Sequence, residues 1–286
     1  MSDLTRTVGA AAAVALLLVS AGCSSADTDG RDKAADPASH DDAFGHVHDL
    51  GVNPADGRLY VASHMGVFRQ SDDGFERIAD RWQDTMAFTV AGPDHFLASG
   101  HPDMREDKPT HLGLIESTDA AESWTALSLE GEADFHALEL AGDRLYGFDA
   151  LTGTLMVTED RRTWEDLLSL PVLDVAADPE DPEALVIVDQ RGELMRWRTG
   201  GAPAALEAAP RIAFLDWSEP GRIVGLGGEA DVWVSEDGGE TWREAGVVPG
   251  GPQALTTDGD NWYAATDQGL FTSTDRGESW ESVPLG

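Results

Sequence analysis

With 286 residues, 41% of them hydrophobic, the chain has the length and apolar content for one large all-β domain or two small ones, and it is not disordered as a whole. Its formal charge of −34, from 19 Lys+Arg against 53 Asp+Glu, excludes direct binding to nucleic acid or an anionic membrane surface, because both need cations to neutralise phosphate. A single cysteine, Cys23, excludes an intrachain disulfide.

The N-terminus reads as a targeting segment. Arg6 gives a short positive start, and residues 8–19 are almost wholly Ala, Val and Leu. That run is too short and too rich in alanine for a stable membrane span, so residues 1–22 are an expected export leader. The stretch Ser20-Ala21-Gly22-Cys23 resembles a bacterial lipobox. The resemblance implies that Cys23 is lipidated and becomes the first residue of the mature protein, anchored to the outer face of the cell membrane. Two acyl chains there would supply the double signal that stable anchoring requires. Residues 23–43 carry Asp, Ser, Ala, Gly and Pro with no apolar period, which predicts a flexible acidic tether.

From residue 44 onward the chain repeats. Ser117, Thr158, Ser235 and Ser273 each begin a Ser/Thr-x-Asp run that ends on a tryptophan. The aspartates are Asp119, Asp160, Asp237 and Asp275, the tryptophans Trp124, Trp164, Trp242 and Trp280, and one copy is a residue shorter in its turn. A degenerate copy runs through Ser71 and Asp73, and another, around Trp197, has lost the Asp. The copies recur about every 40 residues, which is the length of a four-stranded propeller blade. Short polar side chains that hydrogen-bond their own turn, followed by a tryptophan over apolar surface, make a hairpin staple. The pattern resembles the Asp-box, or BNR, repeat of bacterial sialidases and related secreted propellers. Each repeat also holds a near-continuous apolar run, such as Leu59-Tyr60-Val61-Ala62 and Leu185-Val186-Ile187-Val188, as expected for a strand buried on both faces. The expectation is an all-β, six-bladed propeller over residues 44–286, with seven blades as the alternative.

In such a ring, residues early in the first strand and late in the second strand of each blade meet on one rim, the usual place for a ligand. Seven of the eight histidines lie between His46 and His136. His46 and His48 open the first strand of blade 1, and His136 takes the place of His48 in blade 3, with Met86 there in blade 2. His64 and His101 end the second strands of blades 1 and 2. These five histidines with Met86 are therefore expected on one sector of the rim, where imidazole and thioether suit copper or zinc. His111 belongs to the longest insertion, from His101 to Leu112, which is placed to cover the same rim.

Resemblance to the Asp-box families also raises glycoside hydrolysis. In sialidases it implies three arginines on a substrate carboxylate, a Tyr nucleophile paired with Glu, and an Asp acid/base. Here Tyr60, Tyr146 and Tyr263 share one packed column, and only Arg191 and Arg211 are expected near the rim. Asp149, Asp189 and Asp267, at or near the ends of second strands, are the candidate catalytic carboxylates, since a glycosidase needs two across a cleft. The sequence thus points first to an exported, surface-anchored binding module, monomeric, with a metal, small molecule or glycan as ligand. A sialidase-like glycoside hydrolase is the alternative, and a protein-interaction scaffold the third.

Overall fold

The computed structural model describes residues 44–286. The leader over 1–22, the lipidation residue Cys23 and the tether up to residue 43 lie outside the described residues. Each repeat forms one antiparallel sheet of four strands in chain order, and there are six such sheets. The first strands are Val47–Val52, Asp84–Gly92, Phe135–Ala141, Val172–Asp178, Phe214–Glu219 and Pro252–Asp258. They abut one another in that order, and the sixth returns to the first. The chain is a six-bladed β-propeller.

The buried second strands follow from the apolar runs. Leu59, Tyr60, Val61 and Ala62 have no more than 1% of their surface exposed, and Leu185 to Val188 have none. Each blade offers these side chains to both neighbours, so six separate cores form, one at every blade interface. Burying each large apolar side chain contributes roughly 1.5–3 kcal/mol. Tyr60 and Tyr146 lie wholly inside this packing, and Tyr263 lies against it. Gly147 occupies a point of close approach, because a Cβ there would stand 2.7 Å from the Phe135 ring.

The repeated turns are built as hairpin staples. Ser117, Ser235 and Ser273 each donate to the aspartate two residues on at 2.8 Å. Those aspartates then accept from Ser123, Thr241 and Ser279. Thr158 opens the copy that is a residue shorter, and there Asp160 accepts instead from the backbones of Arg162 and Thr163. Hydrogen bonds from the following Thr or Ser draw the Asp160, Asp237 and Asp275 carboxyls down to about 2. Trp242 and Trp280 donate to the carbonyls of Gly239 and Gly277, whereas Trp164 reaches Ser128 of the preceding blade. In blade 1, Ser71 simply pairs with Gly74 across a tight hairpin, and Asp73 sits in its turn.

Around the central channel a clasp joins every blade to the next. Asp49 accepts from the Phe88 backbone, Ser99 from Phe135, Glu139 from Ala177, Asp174 from Leu215 and Asp216 from Thr257. Gln253 closes the ring by accepting from Val47 at 3.0 Å. No blade is shared between the two ends of the described chain; closure is completed where the Phe75 amide donates to the Leu285 carbonyl.

Candidate functional site

A β-bulge recurs at one level of the ring. Pairing between first and second strands skips a residue at His48, Met86, His136, Leu173 and Gln253, in blades 1, 2, 3, 4 and 6. A bulge turns the extra side chain out of the ladder and re-aims it. Here it aims at the channel mouth, since His48 and His136 line the upper part of a central cavity of about 430 Å³. Blade identity then decides what stands at this level: imidazole in blades 1 and 3, Met86 in blade 2, Leu173 in blade 4, and in blade 6 the buried Gln253, which turns its amide oxygen to the Val47 amide.

The imidazoles gather around two carboxylates. His48 Nε2 stands 3.3 Å from Asp84 Oδ1, and His64 Nε2 stands 3.9 Å from the same oxygen. The His48 and His64 ring centroids are 4.5 Å apart, with the His46 ring 5.0 and 5.7 Å from them. On the other side of Asp84, its Oδ2 faces His101 Nδ1 at 3.4 Å. His101 Nε2 faces Asp134 Oδ1 at 3.5 Å, while Asp134 Oδ2 faces His111 Nδ1 at 3.5 Å and His136 Nε2 at 3.1 Å. Among the described residues, His48, His64 and Asp84 form one set whose ligand atoms lie within 4.8 Å of one another, and His101, His111 and Asp134 form a second.

Electrostatics keep both acids charged. Burial works to raise the Asp84 carboxyl, but hydrogen bonding and charge from His48, His64 and His101 outweigh it and hold it below its ordinary value. Asp134 behaves alike, with His136, His101 and His111 overcoming burial. Burial lowers the His48 imidazole, which favours the neutral ring that a metal requires. His48 Nε2, Asp84 Oδ1, His111 Nδ1 and Asp134 Oδ1 are buried, and their contacts here are the 3.3 to 3.5 Å imidazole–carboxylate approaches.

The surroundings fix these side chains. Asp149 accepts from the Asp134 backbone at 3.0 Å and from Leu151, so it sets the turn that carries Asp134. Asp189 caps its own turn through the amides of Arg191 and Glu193, and Asp267 accepts from Gly251. The three carboxylates expected as catalytic candidates are thus all engaged with turn amides. Arg191 and Arg211 are largely exposed and lean on Glu193. The insertion that brings in His111 is pinned by Arg105 on the Asp80 carbonyl and by Arg81 on Glu106 at 2.8 Å. Met86 holds the equivalent bulge position in blade 2. His95 lies apart, paired with Glu116 at 2.8 Å beside Arg161.

Asp84 and Asp134 are the site residues that sequence reasoning missed. Their signal is positional: each stands two residues before a bulge, as His46 does.

No family model matches the chain, and no curated protein matches it. Among solved structures it is similar to the extracellular domain of a hybrid two-component system from B. thetaiotaomicron, with a TM-score of 0.56 at 12% identity. That match covers 85% of this chain and 34% of the other, so the chain spans about a third of that protein's length. It is also similar to a chain of a nidogen/laminin complex, with a TM-score of 0.58 at 12% identity over 75% of this chain and 88% of that one. A third likeness is to YCF48 bound to D1 peptide, with a TM-score of 0.53 at 14% identity over 79% and 76%. What these proteins share with the chain is the propeller fold.

Proposed function

We propose that the chain is an exported, membrane-anchored propeller that binds a transition metal at its histidine-lined mouth. The observation that carries this reading is the convergence of imidazole nitrogens on carboxylate oxygens in two sets, His48 and His64 with Asp84 and His101 and His111 with Asp134, each with its ligand atoms within 4.8 Å of one another. Imidazole with carboxylate suits zinc or copper. The formal charge of −34 raises the local concentration of any cation near the mouth. Two carboxylates also offset much of the charge that a dication brings.

Export and anchoring rest on the leader and on Cys23. No helix among the described residues is long and apolar enough to cross a membrane. Cys23→Ala is expected to move the protein from the detergent phase to the aqueous phase on phase separation; an unchanged partition would contradict the anchor.

The metal is tested by elemental analysis of purified protein after exposure to zinc or copper and removal of free ions. Retained metal, lost in His48→Ala and His136→Ala, is the expected result. Protein that keeps none would mean that the mouth is a network of imidazoles and carboxylates with no metal function.

A further inference from the structure

Resting on the metal reading, we infer that His101 is shared between two like ion positions and can ligate at only one of them at a time, so that the first ion to bind weakens the second. Around His101 the mouth repeats itself. Asp84 turns Oδ1 to two imidazoles, His48 at 3.3 Å and His64 at 3.9 Å, and turns Oδ2 to His101 Nδ1 at 3.4 Å. Asp134 does the same from the other side. Its Oδ2 faces His136 at 3.1 Å and His111 at 3.5 Å, and its Oδ1 faces His101 Nε2 at 3.5 Å. Each acid thus has two imidazoles of its own on one oxygen and the same third imidazole on the other.

The fold sets His101 in this place. It ends the second strand of blade 2, His95–His101, where it pairs with Asp84 at the start of the first strand. Asp134 directly precedes Phe135–Ala141, the first strand of blade 3. His101 therefore stands between the opening of its own blade and the opening of the next.

One ring cannot serve both acids alike. A neutral imidazole has one N–H, which donates, and one bare nitrogen, which accepts or binds a metal. Whichever tautomer His101 adopts, its N–H satisfies one carboxylate and its lone pair meets the other. Two acceptors that face each other repel, and a cation between them is bound by both. An ion beside Asp134 takes Nε2 and leaves the Nδ1 hydrogen on Asp84; an ion beside Asp84 takes Nδ1 and leaves the Nε2 hydrogen on Asp134. In either case the hydrogen bond to the far carboxylate fixes the tautomer and makes the ring a better ligand. The second ion then meets a His101 with no bare nitrogen, and it must bind without that ring. Ligating both ions at once would require the ring to give up its last N–H. Positions that begin alike become unequal once one is filled, and the coupling is reciprocal.

Cobalt titration of chelator-treated protein, followed by visible absorption, counts the ions and ranks the steps, with circular dichroism to confirm that each variant is folded. Two equivalents are expected, the first held about 10- to 100-fold more tightly than the second. His101→Ala removes the shared ring, so the first step should weaken by about that factor while the second holds, and the steps draw together. His101→Asn, whose amide can still donate to Asp84 from the place of Nδ1, should give the same result and serves if the alanine variant does not fold. Repulsion between two cations would keep the steps apart whatever stands at residue 101, so a gap that survives both substitutions would overturn the inference. A wild-type chain that takes up one equivalent, or two with no gap, would overturn it as well. At one equivalent of zinc, nitrogen NMR of the imidazoles should show one His101 ring nitrogen bound and the other carrying hydrogen; a ring with neither nitrogen bound would contradict the sharing. Failure to take up any cobalt or zinc would bring down the metal reading itself, an outcome distinct from each of these.

Discussion

Carboxylates at the mouth and carboxylates in the channel are set in opposite directions, although both kinds lie in or directly before the first strands of their blades. Asp84 and Asp134 lie below their ordinary values because imidazoles overcome burial. Asp49, Glu139 and Asp174 lie above theirs, chiefly through burial; Asp174 is raised to about 7, partly by the charge of Asp216. The channel acids spend their oxygens on the backbone amides of the next blade, and the cavity lining holds no lysine or arginine among the described residues. The mouth acids have titratable partners instead. One part of the ring is built to clasp blades and the other to hold charge.

The largest effect that would sharpen this contrast is on stability against pH. Asp174 holds its proton more tightly folded than unfolded, where its value is about 3.9. It costs nothing below pH 4, and it costs progressively more as pH climbs to about 7. The Asp-box carboxyls, held near 2, act oppositely: their contribution is present above about pH 4 and is lost as pH falls toward 2. Unfolding midpoints should therefore peak between about pH 4 and pH 5. Asp174→Asn should flatten the alkaline side; a wild-type slope that survives this change would break the channel half of the comparison.

Next in size is the mouth. Asp134→Ala should weaken metal binding by more than about 100-fold, beyond the cost of an outer-shell change. Leu173→Ala, at the equivalent bulge in blade 4, should leave binding alone. Calorimetric titration of zinc into both variants reads this directly, and equal losses would erase the distinction between the two sides of the mouth. Smaller still, Gln253→Ala removes the clasp to Val47 and should cost about 1–3 kcal/mol in denaturant melts without changing metal content. Smallest is Ser235→Ala, which deletes a turn hydrogen bond to Asp237 for about 1 kcal/mol. If its melt loses more than Gln253→Ala does, the outer staples matter more to the ring than the inner clasps.

The ring was legible because its signals repeat. The period, the staple residues and the apolar second strands each point to one blade, and six copies leave little freedom in their assembly. His48, His64, His101 and His136 were legible for the same reason, through matched places in successive blades. Asp84 and Asp134 were not, since 53 acidic residues hide two that converge. His111 was seen but could not be placed, because a loop latched by Arg105 and Arg81 follows no period. The bulges were invisible too: they arise from strand pairing, and one skipped residue turns His48 and Met86 off the alternation that a regular strand would give. The clasping role of Asp49 and Asp174 depends on the amide of a neighbouring blade, which no local pattern announces.

Crystals grown with zinc, with data collected across the zinc absorption edge, put the account to its most direct test. Anomalous difference density should appear at the mouth, between His48, His64 and Asp84 or among His101, His111 and Asp134. Zinc density confined to surface carboxylates, with the mouth empty, would contradict it.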